Sequence, residues 1–201
     1  MAEAQHFDPV FYSQLGFGSR DYEAYHLRLG QLMHAFTMAE MWIGSSISEI
    51  VTRELNPTST DPNINPHLIL SALFIGRAGP QMDALRRLLR NLNAPQNLQD
   101  ELGAILSHFA SIQSLRDHLA HRRVIVNGDR VEIDSIYAAK EAKQIISRTF
   151  TLSVLEDATF DLLILREKLR YLLNETIKPD ANAEPLVSAP WRYKPVQPDR
   201  T

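Results

Sequence analysis

The sequence predicts an all-α fold: a four-to-five helix up-and-down bundle with a small β-hairpin inserted before the last long helix. Three observations predict it. Apolar residues recur at three-and-four spacing along several long segments, the period of one helical face. The breaks between those segments are short and rich in Pro, Asn and Gly. One Asn-Gly step, flanked by β-branched residues, interrupts the helical pattern. With 201 residues, 44% of them hydrophobic, the chain suffices for one domain with a real core.

Residues 1–20 read as an N-terminal segment with a short helix, capped by Asp8, started by Pro9 and ended by Gly16. The first long helix is predicted from Asp21 to Leu55. Tyr25, Leu29, Leu32, Phe36, Ala39, Ile43, Ile47 and Ile50 lie on one stripe, which Met38 and Trp42 widen. Asn56-Pro57 ends it, and the loop composition continues to Asn65. Pro66 can start a second helix, nearly all apolar from Leu68 to Ile75. Gly76, Gly79 and Pro80 predict a kink or break, because proline lacks an amide donor and crowds the preceding turn. Leu85, Leu88, Leu89 and Leu92 continue the apolar face, with Arg86, Arg87 and Arg90 on the other side. Asn93-Ala94-Pro95 is a turn.

A third helix follows from Gln96 to His121, with Leu98, Leu102, Ile105, Phe109, Ile112, Leu115 and Leu119 inward. Val124 to Ile133 is a hairpin, its Asn127-Gly128 step supplying the positive φ of a tight turn. The last long helix runs from Leu152 to Ile177. Its leucines recur near the bundle-seam period of about 3.5 residues. Residues 21–178 thus form the bundle. Residues 179–201 hold five of the 11 prolines and read as an extended or disordered tail that Trp191 and Tyr193 can tie down.

Composition excludes several classes. There are no cysteines, so disulfides and thiolate metal sites are impossible, and a reducing, cytoplasmic home is expected. A net charge of -3 argues against a protein coated in nucleic acid or anionic membrane, while leaving room for a local basic patch. Met1 to His6 lack the basic and apolar regions of a secretory signal, and no apolar run approaches the ~20 residues of a membrane span.

Chemistry concentrates in one stretch, Leu115 to Arg123, where two histidines, an aspartate and three arginines occupy nine residues at the end of the third helix. Arg116 and His121 are central. A guanidinium is always charged and matches two phosphate oxygens with its planar fork. Imidazole titrates near neutrality and serves as acid or base. Arg20 to His26 and Arg28 to His34 have similar spacing, yet Arg20 precedes a helix and Arg28 is followed by an apolar Leu29. Only Arg116 combines a polar follower, Asp117, with a helix end and adjacent basic residues. The plain alternative is an Arg116 salt link to a neighbouring helix and a His121 that caps the helix C-terminus.

Arg116, Asp117 and His121 together resemble the signature of the HEPN superfamily: an arginine, a polar residue directly after it and a histidine a few residues on, near the end of the third core helix. The resemblance spans residues 21–178 at the level of architecture, and a short insertion before the final helix also occurs in that family. It implies a homodimeric, metal-independent endoribonuclease without cofactor, acting by 2′-OH transesterification. A toxin, antiviral or RNA-processing role follows, with a cognate antitoxin or other protein partner possible. Arg116 and His121 would be catalytic. Asp117 would orient His121 or the partner's Arg116, and His118 would be a second proton-transfer group. A non-catalytic HEPN-like dimer that binds a partner or a nucleotide is the alternative.

On an ideal helix Arg116 and His121 point about 140° apart, because each residue advances ~100°. A two-fold dimer would bring two such motifs together across a cleft. Arg122 and Arg123 can hold RNA phosphates or simply end a helix with charge. His118 and His121 have i, i+3 metal spacing but no evident third ligand. Arg86, Arg87 and Arg90 read as an RNA-tracking face or a solvated one. Trp191-Arg192-Tyr193-Lys194 reads as a base-stacking platform or as a tail docked on its own domain. His34, His67 and His108 read as structural.

Overall fold

The computed structural model describes residues 20–55, 78–134, 147–173 and 184–198. The expected helices at Pro9 and Pro66 lie outside these. Within them the chain is mostly helical: α1 (Arg20–Leu55), α2 (Ala78–Asn91), α3 (Gln96–His121), α4 (Ser153–Leu173) and α5 (Glu184–Ser188). Three strands, β1 (Arg123–Asn127), β2 (Arg130–Asp134) and β3 (Ser147–Thr151), form an antiparallel sheet in that order.

α1 packs against α4 and α2, and α3 against α2 and α4. The core lies between them. Leu32, Ile43 and Ile50 of α1 are fully buried against Leu85 of α2, Leu106, Phe109 and Ile112 of α3, and Leu155 and Leu162 of α4. Phe36 and Phe109 stack at 5.0 Å between ring centroids, a pairing that adds to simple burial. Trp42 carries the Arg166 guanidinium 4.3 Å from its ring, which ties the flanks of α1 and α4. No described helix is long and apolar enough to cross a membrane.

Local chemistry sets the ends. Pro80 is the third residue of α2 as described, where a missing amide donor costs nothing. α2 stops in a Schellman motif: the Ala94 amide donates to the Leu89 carbonyl and the Asn93 amide to that of Arg90, each at 3.0 Å. The motif needs a left-handed residue, and Asn93 takes φ 52°. Pro95 then begins α3.

The hairpin differs in one detail from its sequence reading. Asn127 pairs with Arg130 at the end of the ladder, so the two loop residues are Gly128 and Asp129 rather than Asn127 and Gly128. Gly128 takes φ +63° at the first loop position, the place a type II′ turn reserves for glycine. Its amide donates to the Asp21 carboxylate at 3.1 Å, fastening the hairpin tip to the start of α1. The larger difference is β3, which extends the expected hairpin into a sheet by pairing with β2.

Candidate functional site

α3 ends where β1 begins, and the Arg122 amide closes the helix on the His118 carbonyl at 3.1 Å. The last turns of a well-buried helix therefore present the charged stretch. Leu115 and Leu119 anchor it from below, at 3% and 6% exposure.

Arg116 leaves the inner edge of α3 and lies across Phe36 of α1, its guanidinium carbon 5.2 Å from the ring centroid. Asp117 accepts from Arg116 Nη1 at 2.8 Å, in the same chain. Both side chains are part-exposed. Arg116 Nε is buried and has no hydrogen-bond partner among the described residues. His121 is exposed. Among the described residues no hydrogen bond joins it to Arg116 or Asp117. Asp117 pairs with its own Arg116.

His118 is half-buried, and its Nδ1–H donates to the Ser114 carbonyl one turn back. Burial, first, pushes the imidazole below its usual pKa. The cations of Arg148 and Arg122 act the same way, against the Ser114 carbonyl and Asp117. A neutral ring with Nδ1 engaged leaves its lone pair on Nε2, the configuration of a general base. Arg122 is half-buried beside it. Arg123 opens β1 opposite Asp134 and faces that carboxylate at 3.8 Å, so a nearby acid already shares its charge. Among the described residues no three His, Asp or Glu side chains converge as a metal-binding set.

The other candidates sort differently. Arg86 pairs with Asp83 at 3.2 Å, and with Arg90, Gln96 and Asp100 it lines a cavity of about 250 Å³ beside the α2–α3 turn. His34 is exposed and lines a separate groove of about 450 Å³ with Phe160, Leu163 and Arg192. His67 lies outside the described residues.

His108 and the tail form a second cluster. Asp161, in the middle of α4, is fully buried. Its carboxylate accepts from the Arg192 amide at 3.0 Å, the Tyr193 amide at 2.8 Å and His108 Nε2 at 2.8 Å. Trp191 stacks on His108 at 4.2 Å. Lys168 Nζ lies 4.9 Å from the Trp191 ring centroid and donates to the Val187 carbonyl. Burial lowers the Lys168 pKa, against Glu101 and Asp161. Tyr193 is 5% exposed, and burial raises its phenol. Trp191 and Tyr193 thus hold residues 184–198 on the helices as a strap, the docked reading of the tail.

Sequence reasoning passed over Asp161 and Arg148. Asp161 had a signal: it sits on the leucine stripe of α4, beside Ala158, Leu162 and Leu165, where an acid needs partners. Arg148 had none before β3 was known. No known family, curated protein or solved structure matches the chain.

Proposed function

We propose that the chain is a HEPN-type endoribonuclease that cleaves RNA by 2′-OH transesterification as a homodimer. The observation that carries the reading is the conjunction at the last turns of α3: an arginine, an acid and two imidazoles, all reachable from solvent on a rigid element. His118 supports it further, because its lone pair is free to accept a proton at neutral pH.

The chemistry divides among these groups. A base takes the 2′-hydroxyl proton, and His118 Nε2 suits that step. The 2′-oxygen then bonds to phosphorus. Arg116 balances the charge that builds on the non-bridging oxygens. The bond from phosphorus to the 5′-oxygen breaks, and His121 returns a proton to the leaving oxygen. The products are a 2′,3′-cyclic phosphate and a 5′-hydroxyl. Arg116 turns toward α1 and His121 points into solvent, so the reading requires a second copy to complete the pocket. In this reading the helices form the up-and-down bundle of that superfamily.

Purified protein incubated with mixed RNA in EDTA between pH 6 and 8 should release fragments ending in cyclic phosphate. His121→Ala should lower the rate at least about 100-fold. Because His121 is exposed, its melting temperature should stay within about 2 °C of the parent. Intact RNA at every pH would sink the reading. One observation favours a second reading, a non-catalytic partner- or nucleotide-binding module: Asp117 already occupies Arg116 at 2.8 Å. Intact RNA together with tight mononucleotide binding would select it.

A further inference from the structure

The strap carries a cation to the rim of a groove. Arg192 is anchored twice. Its amide donates to the buried Asp161 carboxylate at 3.0 Å, and its guanidinium carbon lies 3.4 Å from the centroid of the Phe160 ring. At that separation the guanidinium lies flat on the ring, because standing on edge would drive a nitrogen into the π face. A stacked guanidinium spends its face on the ring and keeps its N–H donors in the plane, directed outward. Among the described residues no carboxylate or carbonyl takes those donors. The fork is held in place and vacant.

The groove beside it lies between α1 and α4 and encloses about 450 Å³, within the size range of small-molecule sites. Ala35, Phe160 and Leu163 supply apolar wall, and Leu163 is 58% exposed on the groove lip. Gln31 and His34 of α1 line the facing side. Both are exposed, and neither has a hydrogen-bond partner among the described residues. The one carboxylate in the lining, Glu156, is held by Arg28 at 2.5 Å, so its charge is already met. The Thr159 hydroxyl donates to the Leu155 carbonyl at 2.7 Å and has no proton left for a ligand.

The lining thus offers one permanent cation with free donors, two more polar side chains and a hydrocarbon wall. That set matches a ligand with a single negative charge and an apolar body. A dianionic phosphate ester would bring a second charge that no unpaired fixed cation of the lining meets. We propose that this groove binds a small monocarboxylate, its two oxygens on the Arg192 fork and its hydrocarbon against Phe160 and Leu163. The anchored guanidinium favours binding because little of its freedom remains to be lost. The site shares no residue with the end of α3 and does not rest on the ribonuclease reading.

Calorimetric titration of the full chain with cinnamate and with decanoate tests the site. At least one should bind with a Kd of about 0.2 mM or tighter, the range expected for about a dozen heavy atoms. The matching amide, which lacks the charge, should bind at least about tenfold more weakly. Arg192→Met should weaken the acid by a similar factor, and Arg192→Lys should restore only part, since an ammonium keeps the charge without the fork. Arg192→Met retains the backbone amide that Asp161 holds, so its melting temperature should stay within about 3 °C of the parent. Leu163→Glu sets a like charge on the exposed lip and should also weaken binding, with the fold intact.

A parent that binds neither carboxylate would overturn the site. So would equal affinity for acid and amide, or binding unchanged in Arg192→Met. Should Arg192→Met melt far lower than the parent, Leu163→Glu decides: weakened binding supports the site and unchanged binding overturns it. A parent that sediments as a dimer, dissociates in Leu163→Glu and binds neither carboxylate would give the groove to a second copy of the chain instead.

Discussion

Replacing Asp161 by asparagine tests the strap with almost no change in shape. The carboxylate serves three donors with two oxygens: the Arg192 and Tyr193 amides and His108 Nε2. Asparagine keeps one oxygen and turns an NH₂ group toward at least one donor. One or two charge-assisted bonds are lost, at about 1.5–3 kcal/mol each. The gross cost is therefore about 2–5 kcal/mol. For a chain of this size each kcal/mol lowers the melting temperature by about 2–4 °C. A fall of about 5–15 °C is expected, limited by the option of releasing the strap and hydrating the site. The assay pairs a thermal melt with Trp191 emission in a Trp42→Phe background, since these are the two tryptophans of the chain. Emission should shift to the red as Trp191 leaves His108. A melting temperature within 2 °C of the parent and an unmoved emission maximum would refute the claim that Asp161 fastens the strap.

Two further expectations follow from the site. Phe36→Leu removes the ring that Arg116 lies on and that Phe109 stacks against. It should cost about 1–3 kcal/mol in urea unfolding, with about 0.5–1 kcal/mol of coupling to Arg116→Met in a double-mutant cycle. Zero coupling would show that the cation gains nothing from the ring. His118 has a lowered pKa in the folded chain, so folding favours its neutral form. Its contribution to stability is present above the ordinary histidine value of about 6.5 and is lost as pH falls through the lower folded value. His118→Gln should flatten the stability profile below about pH 6.5, and an unchanged profile would contradict the assignment.

Much of the scaffold was legible because burial and period agree. α3 was expected from Gln96 to His121 and is found there, since its apolar stripe is unbroken and Pro95 fixes its start. α1 begins one residue earlier than expected. β3 was missed for a physical reason. Ser147, Thr149 and Thr151 alternate with Arg148 and Phe150, so one of the two inward positions is charged and the segment shows no clean apolar alternation. The motif at the end of α3 was visible from residue types alone. The third strand was not, because β3 joins the sheet from well downstream, a pairing that no local spacing encodes.

Asp161 and its backbone donors lie 31 and 32 residues apart in sequence. While the polypeptide is being synthesised, α4 is made well before the two amides that donate to its interior carboxylate. Until Arg192 and Tyr193 emerge, a packed α4 must either hold its carboxylate among leucines with the His108 donor but without the two amides, or stay loosely associated. Completion of the interior thereby waits on residues made 31 and 32 positions later, and a message cut short before their codons yields a product with a built-in defect for quality-control proteases to detect.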